Sequence, residues 1–370
     1  MKFLFYSILL SFTVSCMKFQ ENSLDPNSPG GFLFSLLSSN SLYVAVGTNC
    51  TLWTSTDGIK WTARANTLFP NCVGTSGATI NAVAYGNGKF VAVGSLSSST
   101  VGCGIWTSTD GLKWVQSTCG GGMTTPLHSV AYNGSNFVAG AEDNYPTFMT
   151  HFIQQSDASA STWTQISFGA TSINGFVSSI ISVAGKYYAT ISTIDSFYSS
   201  TNGGSWAQFS SSLTSLGAYS SSTSSPLKIT TGPGPRLIVY GTNPSFIPGW
   251  SYTDDLGVTW TTRTSTAGAN TGFNAGVYNP ISGFFVALGT SCILGLSSTG
   301  GTNIDPPSNI QSGCTTTTWN ALVTNPKSGL LVAAGTNENF AFSPLIGDPG
   351  SWIISTTGNT NTVNSIALRP

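Results

Sequence analysis

One pattern recurs along most of this chain, and a repeat of that kind decides the architecture before any single residue is weighed. In its clearest copy, Ile80-Asn81-Ala82-Val83-Ala84-Tyr85 runs through Asn87-Gly88 into Phe90-Val91-Ala92-Val93-Gly94, two short strands joined by a strong hairpin turn. Ile105-Trp106-Thr107-Ser108 follows as a third strand, and Asp110-Gly111 turns it into a fourth at Trp114. Four strands in a meander make one blade of a β-propeller. The opening strand returns at His128, Ser179, Lys228, Asn274, Asn320 and Asn364, with starts 44 to 51 residues apart from Asn81 onward. The closing half returns at Trp61, Trp163, Trp206, Trp260 and Trp352, and the sixth unit keeps only Ser297-Ser298-Thr299-Gly300-Gly301.

The ends of the repeat fix the blade count. The unit starting at Leu42-Tyr43-Val44-Ala45-Val46-Gly47 lacks a first strand, and Val363 to Leu368 is a first strand with nothing after it. Paired in one blade they close a ring and leave no open strand edge. The expectation is an all-β, seven-bladed propeller over residues 42–370, acting as a monomer. Composition agrees: 42 Gly and 12% aromatic residues supply turns and core, while charged residues are only 7% of 370. A chain so poor in charge has no basic surface for nucleic acid or for anionic lipid.

Ahead of the repeat, Lys2 precedes an apolar run from Phe3 to Val14, too short to span a membrane and laid out like an export signal. It meets Thr13-Val14-Ser15-Cys16, which resembles a bacterial lipobox of the looser spirochaetal kind. That resemblance implies a signal peptide over 1–15, a lipidated Cys16, and a polar tether over 16–41. Met17, in place of the Asp that retains such lipoproteins at the inner membrane, implies an outer-membrane or surface address.

Ser55-Thr56-Asp57-Gly58-Ile59-Lys60-Trp61 and Ser108-Thr109-Asp110-Gly111-Leu112-Lys113-Trp114 resemble the Asp-box (BNR) repeat of sialidase-like propellers, one residue short between Asp and Gly. Thr253-Asp254-Asp255-Leu256-Gly257-Val258-Thr259-Trp260 has the full spacing, and Ser200-Thr201-Asn202-Gly203-Gly204-Ser205-Trp206 carries Asn for Asp. The resemblance covers roughly residues 42–370. It implies structural work for Ser55, Asp57, Trp61, Ser108, Asp110, Trp114, Asp255 and Trp260: a carboxylate accepts backbone N–H groups at the turn, and the Trp packs on neighbouring strands. Sialidase chemistry does not come with it. The arginine triad of such enzymes cannot be assembled from Arg64, Arg236, Arg263 and Arg369, the four arginines present.

With Cys16 assigned to lipid, six cysteines remain for an oxidising compartment. Cys50, Cys103 and Cys292 fall just before a third strand, and Cys72, Cys119 and Cys314 fall in the loop after the fourth strand of the same unit. Repeat phase therefore pairs Cys50 with Cys72, Cys103 with Cys119 and Cys292 with Cys314; a zinc site lacks clustered spacing. No phosphate loop, CxxC pair or nucleophile elbow is present, so no cofactor or metal is implied and no catalytic residue is assigned. His128 stands where other units place Asn, as a polar residue opening the inner strand, and His151 lies near Glu142 and Asp143.

The loops joining strands two to three and four to one share a rim opposite the Asp-box turns, and there the repeat is broken. Glu142, Asp143 and Tyr145 interrupt the third unit, Phe246 and Trp250 the fifth, and Glu338 the seventh. Aromatic and acidic residues on a disulfide-stapled rim suit recognition of a protein or glycan partner. A glycan-active hydrolase or lyase would instead need two carboxylates roughly 5–9.5 Å apart in the central funnel. A subunit of an envelope assembly would need a large apolar patch on one rim.

Overall fold

The computed structural model describes residues 41–72, 77–96, 102–142, 150–170, 176–191, 194–210, 227–242, 248–264, 272–305, 308–312, 314–344 and 347–370. Its strands form seven four-stranded antiparallel sheets. Blade I contributes β1 (Leu42–Gly47), β2 (Leu52–Ser55) and β3 (Thr62–Arg64). Blade II is β4 (Thr79–Gly86), β5 (Lys89–Ser95), β6 (Cys103–Ser108) and β7 (Val115–Ser117); blade III is β8 (Leu127–Tyr132), β9 (Phe137–Ala141), β10 (Thr150–Ser156) and β11 (Trp163–Ala170). Blade IV is β12 (Val177–Val183), β13 (Lys186–Ile191), β14 (Ile194–Ser200) and β15 (Ala207–Ser210); blade V is β16 (Lys228–Thr231), β17 (Leu237–Thr242), β18 (Pro248–Thr253) and β19 (Thr261–Thr264). Blade VI is β20 (Phe273–Tyr278), β21 (Phe285–Gly289), β22 (Ile293–Ser297) and β23 (Ser308–Asn309); blade VII is β24 (Trp319–Thr324), β25 (Leu331–Gly335), β26 (Phe340–Ser343) and β27 (Ile353–Ser355). Last in the chain, β28 (Val363–Arg369) pairs antiparallel with β1, from Leu42 opposite Arg369 to Val46 opposite Ser365. The ring is closed by its two ends, in the composite blade that the repeat phase implied.

The reason for the repeat's apolar runs is visible in the packing. Second strands such as Phe285–Gly289 and Leu331–Gly335 are buried along their whole length, because each blade is covered on both faces by its neighbours. Fourth strands face solvent, as with the exposed β3. The core consequently lies between blades: Val44, Val46 and Leu52 of blade I meet Phe90, Ala92 and Trp106 of blade II in one cluster. Trp114, Trp206 and Trp260 each donate Nε1–H to the carbonyl of the glycine in their own turn (Gly111, Gly203 and Gly257), which fixes the indole across the blade edge.

Those turns lie at the ends of the third strands. Asp57 Oδ1 accepts the N–H groups of Ile59 and Lys60, both at 2.8 Å, and Asp110 Oδ1 those of Leu112 and Lys113 at 2.8 and 2.7 Å. Ser55 and Ser108 hydroxyls donate to the same carboxylates and accept the N–H of Gly58 and Gly111. In blade V, Thr253 and Thr259 hydroxyls both donate to Asp255, at 2.6 Å each. Neutral donors surround a charge that stays near solvent, so these carboxylates hold their turns without entering any cavity.

Candidate functional site

On the opposite rim three blades share one short motif. Gly47-Thr48-Asn49-Cys50, Gly289-Thr290-Ser291-Cys292 and Gly335-Thr336-Asn337-Glu338 make the same turn between second and third strands, with the last two residues of each at positive φ. Glycine opens the motif because the chain entering the inner strand presses against it: a Cβ on Gly47 would lie 1.8 Å from the Thr362 carbonyl oxygen, and one on Gly335 would lie 2.0 Å from that of Thr318. The threonine closes the contact. Its N–H donates to that carbonyl, at 2.9 Å for Thr48 and 3.0 Å for Thr336, while its hydroxyl accepts the returning N–H of Thr362 or Thr318. Cys50 is bonded to Cys72, Cys103 to Cys119 and Cys292 to Cys314, so three blades carry a covalent staple to the loop after the fourth strand, from this turn in blades I and VI and from the start of β6 in blade II.

Two residues expected on the recognition rim do other work. Glu338 is 3% exposed, occupies the place of the staple cysteines, and is held by hydroxyl and amide donors. Its carboxylate accepts from Thr51 Oγ1 at 2.9 Å, Asn359 Nδ2 at 2.5 Å and Asn361 Nδ2 at 3.2 Å, which ties blade VII to the ring-closing loop and to blade I. A carboxylate so enclosed by donors of its own chain is a clamp, not a contact for a partner. Trp250 is fully buried in β18, tilted against Phe273 and edge-on to Phe285, with Nε1–H donated to Gly301 O at 2.9 Å. It supplies from blade V the indole that the turn of blade VI lacks. Its sequence neighbours suggested a loop, but a large apolar ring on a third strand is buried between blades.

The funnel is shaped by β-bulges. Six inner strands skip a residue in their pairing with the second strand, and the skipped residues are Asn81, His128, Ser178, Asn274, Asn320 and Asn364. An unpaired bulge residue is re-aimed, and all six line the mouth on the stapled rim, with Lys228 at the head of β16 as the seventh. Several link blade to blade. Asn81 Nδ2 donates to Leu127 O at 2.8 Å, Asn364 Nδ2 to Ile80 O at 3.1 Å, Asn320 Nδ2 to Val363 O at 3.3 Å, and Ser178 Oγ to Leu227 O at 2.8 Å. In blade III the neighbouring Ser129 makes this link, to Val177 O at 2.9 Å. That releases His128, whose ring lies tilted against that of Phe176 with centroids 4.2 Å apart and whose Nε2 lies 3.4 Å from the Glu142 carboxylate. The mouth encloses about 320 Å³ and continues into about 250 Å³ between the inner strands.

Of the rim residues chosen from sequence, Glu142 alone comes near this mouth, through its contact with His128. Asp143, Tyr145 and Phe246 lie outside the described residues, as does Cys16. Lys228 and Phe176 were missed as site residues, and His128 was taken for a plain strand opener. The signal for Lys228 was in the alignment of units, since it stands in phase with four asparagines. The arginines are scattered: Arg236 pairs with Asp254 at 2.7 Å, Arg263 donates to Thr302 O, and Arg64 to Thr54. No carboxylate lines the funnel among the described residues.

No family model matches this chain, and no curated protein is similar to it in sequence. Solved structures with the same architecture include the WD40 β-propeller domain of Doa1, with a TM-score of 0.51 and 13% identity over 77% of this chain and 84% of that one. The fold is a seven-bladed β-propeller. A chain of the mitotic checkpoint complex aligns with a TM-score of 0.56 and 11% identity over 78% and 80% of the two chains. A chain of hydrazine synthase from Kuenenia stuttgartiensis aligns with a TM-score of 0.52 and 9% identity over 74% and 78%. At such identities the likeness of the propellers is one of fold alone, and function has to be argued from the site.

Proposed function

We propose that this protein is an exported binding or scaffolding propeller, lipid-anchored through Cys16 at the outer membrane or cell surface, that takes a protein or glycan partner on the rim around its funnel mouth. The observation that carries the reading is the funnel mouth itself: bulges aim polar side chains into it, and the half-exposed His128–Glu142 pair departs from the repeat there without serving the inter-blade links. Three disulfides on the same rim hold its loops and are in keeping with an oxidising compartment. A protein partner accords with propellers found in multiprotein structures such as the mitotic checkpoint complex. Asp143, Tyr145 and Phe246 belong to the proposed surface by their place in the repeat.

The test uses native protein from the envelope. Mass spectrometry should find the mature chain starting at an acylated Cys16, and crosslinking should retain a partner on wild type. His128→Ala/Glu142→Ala should lose that partner while the melting temperature stays nearly constant, as substitutions of half-exposed side chains usually cost about 0.5 kcal/mol or less. Leu112→Ala/Val258→Ala, on the opposite rim, should keep it. Retention by the first variant and loss by the second would overturn the assignment of the surface.

A further inference from the structure

The seven positions that ring the mouth are chemically uneven. Four are asparagine, one is serine, one is the histidine already paired with Glu142, and one is Lys228. Lys228 borders both the mouth and the deeper funnel, and none of the described residues gives its ammonium a hydrogen bond or a counter-charge. Burial pushes its pKa down, the expected response of a cation drawn out of water without a partner. A chain with 12 Lys and Arg in 370 residues has placed one of them beside its axis. A structural role would be met by asparagine, which links blades at the equivalent positions.

We propose that the funnel mouth is a carboxylate-binding site, with Lys228 Nζ as the charged contact and the amide groups of the asparagine ring as neutral donors. Each ring asparagine that links blades uses one N–H for the neighbouring carbonyl, and a primary amide has a second. Ammonium and amide donors together make charge-assisted hydrogen bonds to a planar oxyanion. One cation matches a monoanion. A dianion such as sulfate would leave a charge uncompensated near the Glu142 carboxylate, so a carboxylate is favoured over sulfate or phosphate. The carboxylate belongs either to a small free acid or to the acidic side chain of a docked partner. The inference rests on the proposed function, since it names the chemistry that the mouth would recognise.

The experiment titrates the full chain, disulfides intact, with acetate, acetamide, sulfate and two blocked tripeptides that differ only in a central Glu or Gln. The reporter is the side-chain NMR signal of Lys228, with calorimetry alongside. Acetate and the Glu peptide should shift that signal, while acetamide and the Gln peptide should not. Lys228→Met should weaken acetate binding at least tenfold and Lys228→Arg by only a few-fold; the arginine variant and the neutral probes keep the test decisive if the methionine variant folds poorly. Tighter binding of the Glu peptide than of acetate would identify a partner's side chain as the source, and equal binding a free acid; both uphold the site. Equal response to acetate and acetamide, tighter binding of sulfate, or indifference to Lys228→Met would overturn it. Partner capture lost on the mouth variants without any carboxylate response would sink this inference alone. A carboxylate response with capture untouched by every mouth variant would sink the proposed function and leave the site.

Discussion

Blades VI and VII make the same turn with different fastenings. In blade VI the turn ends at Cys292, covalently bound to Cys314 after the fourth strand. In blade VII it ends at Glu338, which reaches the equivalent loop through Asn359 and Asn361 and also crosses to Thr51 of blade I. A disulfide constrains the unfolded chain as well as the folded one, but it joins only two residues of one blade. The buried carboxylate has no such effect on the unfolded state, yet it gathers three donors from both sides of the closing seam. The covalent device therefore stabilises a blade, and the hydrogen-bonded device ties blade VII to both sides of the seam where β28 meets β1, two strands that no chain segment joins.

The largest effect should come from removing the seam. Deleting residues after 360 takes away β28 and one Glu338 partner and leaves β1 with an unpaired edge. The truncated protein should lose cooperative unfolding or aggregate; a melt like that of the full chain would show that closure does not need the composite blade.

Next come the two fastenings themselves. Cys292→Ala/Cys314→Ala opens a link of sequence separation 22 and should cost about 3 kcal/mol on the chain-entropy model. Glu338→Ala leaves buried donors unmatched and should cost about 1–3 kcal/mol. Chemical denaturation of both variants, with and without reductant, compares them directly. Reductant should erase the difference between the cysteine variant and wild type at that blade and leave the penalty of Glu338→Ala in place. A Glu338→Ala protein as stable as wild type would mean that the clamp is dispensable.

The smallest effect separates this rim from the other. Backbone N–H of Lys113 above all, with Leu112 N–H and the Ser108 hydroxyl, holds Asp110 below the usual carboxylate range, and the Thr253 and Thr259 hydroxyls do the same for Asp255. A carboxyl whose folded pKa is depressed contributes stability above its unfolded value, about 3.9 for Asp, and that contribution is lost as pH falls through the folded value. The melting temperature should accordingly drop between about pH 4 and 2, and less in Asp110→Asn/Asp255→Asn. An unchanged acid profile in that variant would remove the turns from the account.

The propeller, its composite blade and the three cysteine pairs were legible in the sequence because each is a matter of phase. A residue's place in a repeat fixes its strand, and strands of equal rank must pack alike. The bulges were less legible, since one extra residue in an inner strand changes no apolar pattern, yet it turns Asn81 or His128 toward the funnel. Burial misled where composition was used in place of phase: Trp250 and Glu338 looked like rim residues by type, and their positions in the blade make them core and clamp.

What the sequence by itself determined is the number of blades, where the chain closes, which cysteines meet and which carboxylates form turns. All of these follow from local spacing repeated at fixed intervals. Only the tertiary structure decided that Lys228 stands without a counter-charge among the described residues, beside a ring of amides, that Ser129 frees His128 to meet Glu142, and that Trp250 serves the neighbouring blade. Those relations join residues from different blades across the axis or the blade interface. Their distances are set by the closing of the whole ring, which no single unit of the repeat contains.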